Sequence, residues 1–152
     1  MLEFKQVTKE FMNAIADNMR QADVVEVMAS NGFTPHEAVE NSVKLSDYST
    51  AVYINNDVVA VMGLKIHSAL SGTGIPWLLG TDNVVKHRRV FLQNSRAVID
   101  DMKYHCPKLM NYVHIDNKVS IQWLKWLGFE FDDPAPIGIN GEMFHRFHMG
   151  MN

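Results

Sequence analysis

Three groups of side chains in this 152-residue sequence are of the types and spacings that do chemistry. The first is Asn117, which follows the apolar run ending at Ile115 and opens the stretch DNKVSIQWLKWLGFEF, Asp116 to Phe131. An Asn at the mouth of a helix either caps its free amides or reaches a ligand, and capping is the preferred reading. Ser120, one turn on, is the nearest hydroxyl and can turn back onto the helix backbone. The second group is Lys86-His87-Arg88-Arg89, whose charges could hold phosphate or meet an acidic partner surface; a solvated helix face is the simpler account. The third comprises the histidines and the paired tryptophans. His145 and His148 point to opposite sides of a strand, and His105-Cys106 beside Pro107 has no second ligand pair, so no metal is expected. Trp123 and Trp126 flank the stripe Ser120, Ile121, Leu124, Leu127. Either one of them is an exposed interface anchor or both pack on the C-terminal hairpin.

The elements that position these groups belong to one domain spanning 1–152, because 47% hydrophobic and 20% charged residues suit a single core of this size and no repeat or linker divides the chain. The single cysteine excludes an intrachain disulfide framework and fits a reducing, intracellular setting. The longest apolar run, Val58 to Leu64, falls far short of the roughly 20 residues that span a bilayer, so a soluble, unsecreted chain is expected. A net charge of -3 gives no general field for nucleic acid.

Periodicity predicts the element order. Leu2 to Gln6 alternates as a short strand. Thr8 caps a helix with Phe11, Ala14, Ile15 and Met19 on one face, a second helix over 22–29 stops at Asn31-Gly32, and Thr34-Pro35-His36-Glu37 is a capping box opening a third, to about Leu45. Thr50 to Ile54 and Val58 to Ile66 form a hairpin across Asn55-Asn56-Asp57. A strand over 75–79 leads through Gly80-Thr81-Asp82 into a helical stretch from Val84 to about Tyr104, with a possible break at His87-Arg88-Arg89. Leu109 to Ile115 reads as a buried strand, followed by the Asn117 helix, a strand over 129–131 and a last strand over 142–149. Gly128 reads as a positive-φ helix stop. This order is α/β: a mixed, partly parallel twisted sheet with helices on both faces.

Asn117, Ser120, Leu124, Gly128 and Phe129, set between two strands, resemble the last helical motif of the GNAT (Gcn5-related N-acetyltransferase) superfamily, and the element order matches that fold. From Trp77 to Met149 the chain is also similar to a GNAT-fold family of tailed bacteriophages that includes an internal virion or morphogenesis protein. The matching stretches are Trp77-Leu78-Leu79-Gly80-Thr81-Asp82-Asn83-Val84, Asn111-Tyr112-Val113 and Phe144-His145-Arg146-Phe147. The superfamily resemblance implies a cofactor pyrophosphate on the amides of a glycine-containing turn and a Tyr acid seven residues after the Asn. Here 82–92 has no glycine, Asp82 opposes anions, and the Tyr position holds Leu124. The leading expectation is therefore no cofactor, and a phage protein acting in the host cytoplasm or virion by binding a phage or host protein through Lys86, Arg88, Arg89, Trp123 and Trp126. In this reading the groove between the strands ending near Leu79 and Ile115 is narrowed or plugged by Leu79, Asn83, Leu124 and the aromatic residues near Trp123. The alternative is a divergent acetyl-CoA-dependent N-acetyltransferase that holds its cofactor with Arg88, Arg89 and Asn117.

Overall fold

Eight strands among the described residues, numbered β1 to β8 in chain order, form one sheet in the order β1-β2-β3-β4-β5-β8-β6, with a short β7 paired to β8. The structure, a computed structural model, describes residues 1–151. Strand β1 (Leu2–Lys5) lies antiparallel to β2 (Tyr48–Ile54), which is joined to β3 (Asp57–Ser68) by the expected turn. Asn55 and Asn56 both take positive φ there, 50° and 68°, as a two-residue hairpin with right-handed twist requires. Between β1 and β2 run α1 (Lys9–Asp17), α2 (Gln21–Asn31) and α3 (Pro35–Leu45). Thr8 Oγ1 accepts from the Phe11 amide at 3.1 Å, and Thr34 and Glu37 close a reciprocal capping box. Gly32 ends α2 with φ 72°.

Strand β4 (Thr73–Gly80) follows β3, and the chain then crosses through α4 (Asn83–Lys86) and α5 (Arg88–His105) to β5 (Lys108–His114). The helical stretch is broken at His87, whose Nε2 lies 2.8 Å from Asp57 Oδ2. Helix α6 (Lys118–Trp126), β6 (Glu130–Phe131), β7 (Ala135–Pro136) and β8 (Met143–Met149) complete the chain. The sequence reads 134–141 as loop; a two-residue strand is too short to register as periodicity.

Alternation along the strands covers both faces. Ala51, Val61 and Leu79 pack with Phe11 and Ile15 of α1 and Val39 of α3, whereas their neighbours Val52 and Met62 pack with Val84 and Phe91 of α4 and α5. Each fully buried Ile15, Val39 or Val84 contributes about 1.5–3 kcal/mol. A third cluster joins Met102, Leu109, Val113 and Phe147. The fold is α/β with a mixed sheet, and among the described residues the one parallel pair is β4 with β5.

Candidate active site

Strands β4 and β5 hydrogen-bond only where they begin, at Thr73 with Lys108 and Gly74 with Leu109, and then splay into a V. Gly74 sits at the apex because a Cβ there would lie 2.8 Å from Cys106 Sγ. Beyond it the backbone groups that a continuous sheet would satisfy need other partners. Asn111 supplies two inside the V, its Nδ2 donating to Pro76 O at 2.7 Å and its Oδ1 accepting from the Tyr112 amide at 2.8 Å. Others come from α2 and its N-cap residue Arg20, which lie across the wide end. The Gly80 amide donates to Asp23 Oδ2 at 2.9 Å, the Arg20 amide donates to Gly80 O at 2.8 Å, and the His114 amide donates to Glu26 Oε1 at 2.7 Å.

Asn117 belongs to this network. It stands at the N-cap position of α6, yet its side chain caps nothing. Its Oδ1 accepts from Arg20 at 2.9 Å and its Nδ2 points to Glu26 Oε1 at 3.4 Å. The capping expectation is thus corrected: the side chain is drawn inward by a buried guanidinium, a stronger partner than a helix amide. Arg20 also reaches Asp23 at 3.4 Å, and Arg20, Asp23 and Asn117 are all buried. Burial raises the Asp23 carboxyl above its usual range, against the pull of Arg20 and the Gly80 amide. Burial also pushes the Glu26 carboxyl up to about 7, with the Asp23 charge adding to the rise and the His114 amide, Asn117 and Arg20 opposing it. Both protein contacts of Glu26 fall on Oε1, and Oε2 is left without a partner among the described residues.

The V encloses a cavity of about 580 Å³ that is walled from both faces of the sheet. On one face lie Phe91, Ser95, Val98 and Met102 of α5 and Ser120, Trp123 and Leu124 of α6; on the other lie Asp23, Glu26, Val27 and Ser30 of α2. The groove is therefore open, against the expected plug. Leu79, Trp123 and Leu124 form walls, and Asn83 turns away, its Nδ2 bound to Val58 O at 2.9 Å. Ser120 lines the cavity and makes no hydrogen bond to its helix among the described residues, so it does not turn back onto the backbone.

The remaining candidates separate. Trp123 faces the cavity and packs on Phe91 at 5.7 Å, so it is not a surface anchor, and it packs on α5 rather than on the C-terminal hairpin. Trp126 is exposed, with the Arg96 guanidinium 4.1 Å over its ring. Lys86 is paired to Asp57 at 3.0 Å. Arg88 and Arg89 are exposed at the start of α5, where the first helix amides have no acceptor within the helix. Arg88 lies three residues before Phe91 and four before Leu92, so it continues the stripe of α5 that lines the cavity. No group of three or more metal-ligating side chains occurs among the described residues. No helix among them is long and apolar enough to cross a membrane.

Arg20, Asp23 and Glu26 escape sequence reasoning because on α2 the apolar Val25 and Met28 are exposed while Asp23 is buried, so apolar residues do not mark its inward side. The available signal was that Asp23 and Glu26, three apart, share one face with Val27 and Ser30.

No protein-family model matches the sequence. A segment of 59 residues, 39% of this chain, is 30% identical to a membrane-anchored lipid-binding protein of Saccharomyces cerevisiae; it spans 5% of that protein's length. Solved structures match nearly the whole chain. RimL, a ribosomal alpha-N-protein acetyltransferase in complex with coenzyme A, superposes with a TM-score of 0.71 at 8% identity, over 99% of this chain and 96% of that one. A GNAT-family acetyltransferase from Bacillus anthracis gives 0.69 at 10% identity, over 97% and 92%. A chimeric spermidine N-acetyltransferase SpeG from Vibrio cholerae gives 0.68 at 10% identity, over 97% and 94%. Over nearly its whole length the chain therefore has the fold of these GNAT-family structures.

Proposed function

We propose that this chain is an acetyl-CoA-dependent N-acetyltransferase in which Glu26 is the proton acceptor. The observation that carries the reading is Glu26 itself: a carboxyl titrating near neutrality, anchored through Oε1, with Oε2 unpartnered on the wall of an open cavity. A base poised near the working pH is what deprotonation of an ammonium requires.

The cavity residues fit the cofactor. The apolar wall of Phe91, Val98, Trp123 and Leu124 suits a pantetheine arm, and the start of α5 with Arg88 and Arg89 suits a pyrophosphate. The absent glycine turn moves the anion contact from loop amides to these side chains; the amides of α4 are already committed, Asn83 to Thr81 Oγ1 and Val84 and Val85 to backbone carbonyls. Acetyl-CoA, when bound, would supply the thioester; Glu26 would take the first proton, the one an ammonium must lose to become a nucleophile, and release it to solvent through the open cavity, while the second proton, lost from nitrogen as the amide forms, would leave on the thiol. Arg20 and Asn117 orient the Glu26 carboxyl and do not touch the reacting atoms.

The competing reading, a phage or host protein held by Lys86, Arg88, Arg89 and Trp126 without any cofactor, draws its support from the exposed Trp126 and its stacked Arg96. Calorimetric titration with acetyl-CoA separates the two. The transferase reading expects saturable binding that Arg88→Ala and Arg89→Ala each weaken; silence up to about 1 mM, where ordinary sites are filled, refutes it.

A further inference from the structure

The charge inventory of the cavity limits what its acceptor can be. Among the described residues lining it there is no Lys, Arg or His, and its charged side chains are Asp23 and Glu26. Asp23 is committed, one oxygen to the Gly80 amide and the other to Arg20. One oxygen remains open, Glu26 Oε2. The site therefore offers a single anionic contact for a single cation. Inside the cavity a second ammonium would find no carboxylate and a carboxylate on the acceptor would find no cation, so either would lie unpaired against the lining side chains.

Apart from Asp23 and Glu26, the cavity lining on the α2 face of the sheet is uncharged: the neutral polar Ser30, Asn31 and Ser42, and a group of apolar and aromatic side chains. Val27 adjoins Glu26 in sequence, and Trp77, Tyr112 and Ile137 line the same cavity. Trp77 has already given its one donor to Ser46 Oγ at 2.6 Å, so it presents only its ring. Tyr112 points away from Val113, which is packed in the α5 and α6 cluster, and so lies on the α2 side. Tyr112 and Ile137 are 39% and 43% exposed and form a rim open to solvent. Rings that line the same cavity as its one open carboxylate oxygen favour a cation carried on an apolar body.

We infer that the acceptor is a small primary amine with an apolar, aryl-bearing body and no carboxylate. This rests on the transferase reading of the site, and its test is built to fail separately. Wild-type protein is titrated by calorimetry with 2-phenylethylamine, phenylalanine and spermidine, and thiol release from acetyl-CoA is followed with each. The expected result is 2-phenylethylamine binding at least about tenfold more tightly than either of the others, the loss of one unpaired-charge penalty. Ile137→Arg, a change at the half-exposed rim, supplies the missing cation and is expected to weaken 2-phenylethylamine and narrow its lead over phenylalanine. Equal or tighter binding of phenylalanine or spermidine to the wild type, or no binding of 2-phenylethylamine, overturns the inference. Amine binding in the expected order without thiol release overturns the transferase reading and leaves the amine assignment standing. Thiol release that prefers spermidine or phenylalanine does the reverse.

Discussion

Replacing Glu26 by Gln separates the charge of this side chain from its shape. The amide keeps an acceptor for the His114 N–H but cannot ionise. In the folded wild type the carboxyl titrates at about 7 against 4.5 in the absence of the fold. A carboxyl raised by folding contributes stability that is complete below pH 4.5 and lost as pH climbs, because the unfolded chain ionises first. The loss runs at about 1.4 kcal/mol per pH unit and saturates near pH 7, at about 3 kcal/mol. The Gln variant lacks this loss. Its stability relative to wild type should therefore be near constant below pH 4.5 and grow by about 3 kcal/mol between pH 4.5 and pH 8, on the order of 10 °C in melting temperature. Urea unfolding of both proteins across that range measures the difference directly, and effects of other titrating groups largely cancel in it. A difference independent of pH would refute the raised carboxyl and with it the case for Glu26 as a base. In turnover the same variant should be slower by about 10² to 10⁴, while the wild-type rate rises through pH 7.

Asn117→Ala removes an acceptor from a buried guanidinium that is left with only a 3.4 Å contact to Asp23, and should cost about 1–3 kcal/mol in denaturant unfolding. An unchanged midpoint would contradict the network. Gly128 has φ 100°, and a Cβ there would meet only Met149 Cε at 3.7 Å, so Gly128→Val should cost at least about 1 kcal/mol through backbone strain and not through a clash. Gly74→Ala places its Cβ 2.8 Å from Cys106 Sγ and 2.9 Å from Leu64 Cδ1, and is expected to destabilise by about 1–3 kcal/mol while shifting the β4 and β5 apex. A variant as stable as wild type would show that the apex yields freely.

The parts of this fold that were legible are those governed by neighbours in sequence. The Thr34 box closes over three residues, the Asn55-Asn56 turn over two, and the Gly32 and Gly128 stops depend on their own φ. The helix break at His87 was also visible as an interruption of the apolar stripe, although the Asp57 that holds it was not. The site escaped because its bonds span the chain: Asn117 meets Arg20 across 97 positions and Glu26 across 91. Local statistics at Asn117 correctly describe helix starts in general and fail here, since no local pattern says that a guanidinium and a carboxyl will arrive from α2. The groove was misread for a related reason. Loss of the glycine turn and of the Tyr are local facts, whereas the openness of the V depends on where α2 lies.

The narrow junction at the apex of the V has a dynamic consequence. Every strand on one side, β1 to β4, comes from residues 2–80, and every strand on the other, β5 to β8, from 108–149, with two ladder positions between them. Two such half-sheets should open as separate cooperative units, with α2 as the latch, since it grips Gly80 on one and His114 on the other. Native-state hydrogen exchange should then find the Gly80 and His114 amides released together, in an opening below the global one. A ligand seated in the V would slow both at once, so that occupancy of the cleft is felt as stiffness across the whole sheet.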